Sequence, residues 1–458
     1  MSTSTNINAS PNVIFVITDD QGFGDLSCMG SADLQTPHLD ALAERGVLLT
    51  SFYSNAPVCS PARAALLSGR YPGNAGVRSI IAGHRQATGL PSRVKTAGKY
   101  FQEAGYDTFF TGKWHLGLTA ECRPDAHGFS HWFGFLAGCV DYYSHIFYWG
   151  MNRGDPGNDP THDLWEDGRE VWHDGEYLTE TITRKTLSYL EKSIDAGRPF
   201  FGYVAYNAPH YPMHAPEAYL ARFPNLSPER RIMAAMIAAV DDGIGEITDL
   251  LHRRGQLENT LIVFVSDNGP SRETRNWLDG RTDPYQGGST GGLRGHKFSL
   301  FEGGVRVPGI ISWPAGLKGG TRRDDPVAAF DLLPTVIEVC GLEADGEHDG
   351  TSLSHWLQHP EAVLPERDIF WEQGGQTAVR RGPWKLVLNG QEIEQAQPTA
   401  EVFLSNLETD PQQRVNLFDQ HRPLADELAA AAREWRNKLE QRWTCEWQPA
   451  AIGVQTKD

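Results

Sequence analysis

The chain has no excess of positive charge, no long apolar run and no cysteine pair at metal or redox spacing. Each absence removes a class of function. Its 458 residues carry a formal net charge of −17. That argues against a general nucleic-acid surface, which needs clustered lysine and arginine to displace phosphate counterions. An anionic small molecule is not excluded, because a pocket can be locally positive inside an acidic protein. No uninterrupted stretch of about 18 apolar residues occurs, so no membrane-spanning helix is expected. The six cysteines (Cys28, Cys59, Cys122, Cys139, Cys340, Cys445) are scattered without a C-x-x-C, against a zinc knuckle or a thioredoxin-like site. The opening MSTSTNINASPNVIFVITDD has no basic segment ahead of its short apolar run, and reads as a buried strand rather than a signal peptide. A cytoplasmic location with reduced thiols is the expectation.

What is present is an alternation of strands and helices. NVIFVIT (12–18), YDTFFTG, PFFGYVAYN (199–207), NTLIVFVSD (259–267) and VRVPGIISWP (305–314) read as strands buried on both faces. VLLTSFYS (47–54) reads as another. Between them TPHLDALAERG, RVKTAGKYFQEAG (93–105), TETITRKTLSYLEKSIDAG, the long amphipathic stretch 227–255 and DLLPTVIEVCG read as helices. In the first, Thr36 is the expected cap, Pro37 the first helical residue and Gly46 the stop. The pattern predicts an α/β fold: a large, mostly parallel sheet with helices on both faces. After about residue 360 short antiparallel strands and one helix follow. We therefore expect a main domain over residues 1–360 and a smaller C-terminal α+β domain over 361–458, with GEHDGTSLSHWLQHPEAVLPE as the linker.

In open α/β sheets ligands bind at the carboxyl ends of the strands. Here those ends are chemically loaded. Asp19 and Asp20 follow the first strand, and Asp267 and Asn268 follow NTLIVFVS. Three carboxylates and an amide oxygen make a hard, all-oxygen set suited to calcium or magnesium. No histidine or cysteine adjoins these acids in sequence. Lys113 and His115 follow DTFFTG, His210 follows FFGYVAYNAP, and Lys297 lies in the glycine-rich GGLRGHKFSLFEGG. Around one metal they would form a pocket for a tetrahedral anion. GGSTGGLRG does not match the P-loop pattern.

The stretch PVCSPARAALLSGRYP (57–72) places Cys59 at the mouth of a small-residue helix. A buried apolar cysteine, half of a disulfide and a thiolate nucleophile are all open readings. Backbone N–H groups and the helix dipole at that position favour negative charge. Arg63, one turn on, can reach back over it.

Cys59-Ser60-Pro61-Ala62-Arg63, followed by AALLSGR, resembles the C-x-P-x-R signature of the type I, formylglycine-dependent sulfatases. GKWHLG at 112–117 resembles their second signature. DDQG from Asp19, HYP from His210, DNG from Asp267, and HK from His296 followed by EGGVR from Glu302 resemble the family in its order. The resemblance covers nearly the whole chain. It implies the alkaline-phosphatase-like fold. It implies conversion of Cys59 to formylglycine by a formylglycine-generating enzyme, and a calcium ion held by Asp19, Asp20, Asp267, Asn268 and the converted residue 59. It further implies that Arg63 orients the hydrated aldehyde, that Lys113 and Lys297 bind sulfate oxygens, and that His210 with Lys297 protonates the leaving alcohol. His115 would deprotonate the second hydroxyl to expel sulfate, so a serine at position 59 would stall covalently sulfated. Ser144 and Arg294 are further substrate-binding candidates.

Residues 132–172 are rich in aromatics, Asp and Asn, a mixture that sugar pockets use. A self-packed surface lid explains it equally well. LWEDGREV with YLTE after it resembles the carbohydrate-acting branch, so a sugar sulfate is the expected substrate. The rival readings are an aryl sulfatase, a phosphate or phosphonate monoester hydrolase with the same nucleophile, and a non-catalytic sulfo-sugar binder with unmodified Cys59.

Overall fold

The computed structural model describes residues 11–147, 160–272 and 286–447. Among them, ten strands form one sheet in the order Thr321–Arg323, Gly46–Leu49, Gly309–Ser312, Thr260–Ser266, Asn12–Thr18, Phe200–Ala205, Asp107–Lys113, His131–Phe135, Trp165–Glu166 and Arg169–Glu170. The five strands from Thr260–Ser266 to His131–Phe135 are parallel neighbours. Antiparallel strands flank them on both sides. The expected large, mostly parallel sheet is therefore present.

Successive side chains of a strand point to opposite faces. In Asn12–Thr18, Val13, Phe15 and Ile17 enter one apolar core with the helices Cys59–Ser68, Ala97–Glu103 and Leu332–Val339. Ile14 and Val16 enter a second core with the helices Leu178–Asp195 and Pro228–Arg253. Burial on both faces is why these strands read as continuous apolar runs rather than alternating ones. Fully burying one such side chain stabilises by about 1.5–3 kcal/mol.

The C-terminal strands Asp368–Gln373, Gln376–Arg381, Trp384–Leu388 and Val402–Asn406 form a separate antiparallel sheet. One face packs on the helix Arg422–Arg442 through Leu386, Leu404, Leu428 and Ala432. The other face carries Trp371, Ala378 and Val387 into a core shared with Tyr53, Leu300 and Phe301 of the main part.

Three local expectations are corrected. Residues 47–54 do not form one strand. Gly46–Leu49 and Phe52–Tyr53 belong to different sheets, because Thr50 leaves the ladder to bond Arg323 and to accept from the Arg306 guanidinium. Thr36 makes no cap bond, since Ser27 and Asp40 occupy its hydroxyl; Gly46 begins a strand rather than ending the helix. The helix expected over 93–105 starts only at Ala97, where the Thr96 hydroxyl accepts from the Lys99 N–H.

Candidate active site

Strand register assembles the site. Thr18 lies opposite Ser266, Ile17 opposite Ala205, and Ala205 opposite Gly112. The residues that follow therefore emerge at one rim. Gly112 has φ 103°, and a Cβ there would meet the Ala205 carbonyl oxygen at 1.9 Å, so only glycine fits. Asp20 also sits in the left-handed region, at φ 63°.

The acids and bases interlock. Lys113 Nζ donates to Asp19 Oδ2 at 2.5 Å. The Arg63 guanidinium donates to Asp267 Oδ2 through Nε at 3.0 Å and Nη2 at 2.9 Å, and to the Lys113 carbonyl at 2.8 Å. Asp267 Oδ1 accepts the Asp20 N–H at 3.1 Å. Asn268 Nδ2 donates to Asp20 Oδ1 at 2.6 Å. Lys297 Nζ donates to Asp20 Oδ2 at 2.9 Å and lies 3.2 Å from His210 Nε2. All these side chains are buried.

Cys59 opens the helix Cys59–Ser68, is 2% exposed and forms no disulfide. Its sulfur and donor atoms of Asp19, Asp20 and His210 all lie within 4.8 Å of one another. Burial pushes the Cys59 thiol far up, with Asp19 and Asp267 adding to the effect against Lys113 and Lys297. Burial of this kind disfavours a thiolate, which weighs against the plain cysteine-nucleophile reading. The disulfide reading goes with it.

Electrostatics ask for one more cation. Burial, then the Asp19 carboxylate, push Asp267 up to about 7 against the pull of Arg63 and Lys113. Burial raises Asp20 too, but Lys297, His210 and Lys113 outweigh it and hold that carboxyl below its ordinary value. Asp19 Oδ1 and Asn268 Oδ1 are buried without a hydrogen-bond partner. Buried oxygens in that state cost about 1–3 kcal/mol each unless something else satisfies them. Hard oxygens left over beside three carboxylates fit a calcium-class ion. The fold also brings His210 and Cys59 to these acids, which sequence adjacency did not show.

His115, at φ 54°, points Nε2 at the Ile81 carbonyl at 3.0 Å, and its buried Nδ1 has no partner. Burial, then Lys113 and Arg63, hold its pKa well below 6.5. It is thus a neutral ring with a lone pair ready at Nδ1. A Cβ at position 138 would strike this ring at 2.7 Å, so Gly138 makes room for it. His210 Nδ1 faces the Tyr211 carbonyl at 2.6 Å, and Tyr142 donates to the His210 carbonyl at 2.8 Å. Ile81, Gly138 and Tyr142 were missed by sequence reasoning. An orienting carbonyl or an absent side chain leaves no mark in a motif.

Two further substrate-binding candidates have other partners in the structure. Ser144 serves Asp141, its backbone N–H donating at 2.7 Å. Arg294 donates to Glu392 Oε1 at 2.8 and 3.0 Å and to the Gln413 carbonyl at 3.1 Å, with its guanidinium over Phe301 and Phe403. The structure thus places Arg294 at the junction with the C-terminal sheet. The glycine-rich loop docks there, and sequence cannot show which way its basic residues turn. Residues 148–159 of the aromatic stretch lie outside the described residues.

Comparison with known proteins agrees with this geometry. Residues 11–342 match the sulfatase family model. The chain belongs to the sulfatase family. It is 32% identical over 405 residues to arylsulfatase J of Mus musculus, covering 83% of this chain and 64% of that protein. It is 32% identical to the N-acetylgalactosamine-6-sulfatase of Canis lupus familiaris, covering 82% and 71%. Among solved structures it is similar to Ps i-CgsB in complex with k-i-k-neocarrahexaose, with a TM-score of 0.81, 30% identity and coverage of 93% and 92%. The chain thus spans about two thirds of the length of these curated relatives. The resemblance drawn from C-x-P-x-R and GKWHLG is borne out at the level of the family.

Proposed function

We propose that this protein hydrolyses carbohydrate sulfate monoesters, with residue 59 converted from cysteine to formylglycine and a calcium ion held by Asp19, Asp20, Asp267 and Asn268. The observation that carries the reading is the meeting of Cys59 with the carboxylates and His210 within 4.8 Å, beside two buried oxygens without partners. When bound, the ion and the hydrated aldehyde supply positive charge and an oxygen nucleophile next to the ester. Magnesium, of the same hard class, is the alternative ion. Conversion of the cysteine also removes the one soft donor from this cluster, which favours a hard ion further.

The chain's own residues do the rest. Arg63 fixes Asp267 by a two-nitrogen grip, which holds one metal-ligating carboxylate in place. Lys113 and Lys297 bring ammonium charge to the rim, where a singly charged sulfate ester must be desolvated. Lys297 and His210 hold a proton between Nζ and Nε2, within reach of a leaving alcohol. His115 offers Nδ1 as the base that restores the resting nucleophile. Hydrolysis rather than binding alone is favoured because two imidazoles stand in proton-accepting roles that a binder does not require.

A sugar sulfate is supported by the names of relatives, an N-acetylgalactosamine-6-sulfatase and an enzyme bound to a neocarrahexaose. The aromatic and acidic stretch of residues 132–172 points the same way. The test is inorganic sulfate release by the protein matured together with a formylglycine-generating enzyme. The substrates are sulfated galactose and N-acetylgalactosamine saccharides, 4-nitrophenyl sulfate and the matching phosphate esters. Saccharide sulfates are expected to give the highest kcat/KM. Preferential phosphate turnover would overturn the reaction class, and preferential aryl sulfate turnover the substrate class.

A further inference from the structure

Away from the sulfatase site, three side chains converge at the base of a short hairpin. Its strands Ile146–Phe147 and Thr161–His162 pair antiparallel. His145, His162 and Asp174 each bring one donor atom within 4.8 Å of the other two. His145 is fully buried, and neither of its ring nitrogens has a hydrogen bond of ordinary geometry. Its main chain is fixed instead. The N–H bonds the Asp141 carbonyl, the carbonyl accepts from Asp163, and φ is 55°. The ring is thus held in place by its backbone; one ring nitrogen faces the Glu176 backbone, and the other is left for a ligand.

His162 is prepared in a complementary way. Its Nδ1 faces Glu170 Oε1 at 3.1 Å, which leaves Nε2, buried and without a partner. Glu170 is itself held by Arg85 at 3.0 Å. A carboxylate behind an imidazole is the arrangement that fixes the tautomer and raises the basicity of a metal-bound histidine. Trp172 stacks on the same ring, 5.0 Å between centroids and 8° from parallel.

We propose that His145, His162 and Asp174 bind a divalent transition-metal ion of the zinc class, with water completing a tetrahedron. Two imidazoles and one carboxylate select zinc or cobalt(II) over calcium. In a tetrahedral site at zinc–nitrogen distances the ligand atoms stand about 3.3 Å apart, so small side-chain rotations close the trio on an ion. The ion ties the hairpin to the turn that leads into the helix Leu178–Asp195. That pins the base of the aromatic stretch beside the sulfatase site. The site shares no residue with the calcium cluster, so its test stands whether or not the sulfatase reading does.

The test is titration of the full-length protein with Co2+ under saturating Ca2+, read by visible absorption, with Zn2+ content measured in parallel. One equivalent with the intense band of tetrahedral cobalt is expected, and Cys59→Ala keeps it. His162→Gln loses it. Asp174→Asn weakens it at least tenfold, and this exposed residue does not endanger folding. Glu170→Gln, behind the ligand, weakens it about 10- to 100-fold. The proposal fails if the wild type takes up no cobalt beyond what Cys59→Ala removes. It also fails if His162→Gln and Asp174→Asn bind as tightly as the wild type.

Discussion

The Lys297 ammonium lies 3.2 Å from Nε2 of His210. Because Nδ1 of that ring faces the Tyr211 carbonyl, the imidazole keeps its own proton there and receives at Nε2. In the proposed reaction the proton that a leaving alcohol needs would be stored on the lysine and relayed at the histidine. Lys297→Ala is expected to lower kcat about 10²- to 10⁴-fold on a sugar sulfate. The loss should be far smaller on 4-nitrophenyl sulfate, whose leaving group needs little protonation. Equal losses on both substrates would show that Lys297 serves binding and not proton transfer.

Arg63 is fully buried and grips Asp267 with two nitrogens. Its removal leaves a buried carboxylate beside Asp19 without compensation. Arg63→Met is expected to destabilise the fold by about 3–5 kcal/mol in urea unfolding. Arg63→Lys keeps the charge but loses the fork, and should fall between the two. A midpoint unchanged in Arg63→Met would contradict the network.

Asp19 Oδ1 and Asn268 Oδ1 are the buried oxygens that an ion would satisfy. Calcium at a hundredfold excess over Kd should raise unfolding stability by about 2.7 kcal/mol, and chelation should reverse it. Asp19→Asn and Asn268→Leu should each abolish most of the increment. A calcium response that survives both variants would move the ion elsewhere.

His127 is buried, faces the Leu90 carbonyl through Nε2, and is pushed down to about 4 chiefly by burial. A folded-state pKa below the unfolded value of about 6.5 means that the unfolded chain binds the proton first. The contribution of this ring to stability is therefore intact above pH 6.5 and is lost as pH falls from there towards 4. Denaturant midpoints should decline across that window. His127→Gln should flatten the decline by up to one proton's slope, and an unchanged slope would assign the acid sensitivity to other groups.

The strand ends were legible because each buried run terminates in residues that apolar packing does not want. NVIFVIT runs straight into Asp19 and Asp20, and NTLIVFVS into Asp267. Register alone then brings them to one rim, which is why a one-dimensional reading located most of the cluster. What stayed hidden acts through space. Gln376, on the C-terminal sheet, donates to the Phe298 carbonyl at 2.8 Å and so steadies the residue beside Lys297 from 78 positions away. Trp371 bonds the Ser54 carbonyl, ahead of Cys59, in the same manner. Arg294 shows the converse: its glycine-rich loop also carries Lys297, but its own side chain turns to Glu392. Nothing in the motif encodes that direction.

In the proposed reaction everything depends on the chemical state of residue 59. Its most direct measurement is the mass of the peptide carrying that residue, taken from protein that releases sulfate. We predict a loss of about 18 Da relative to cysteine, the exchange of a thiol for an aldehyde, together with reaction towards hydrazides. Sulfate release by protein whose Cys59 is entirely an unmodified thiol would contradict it.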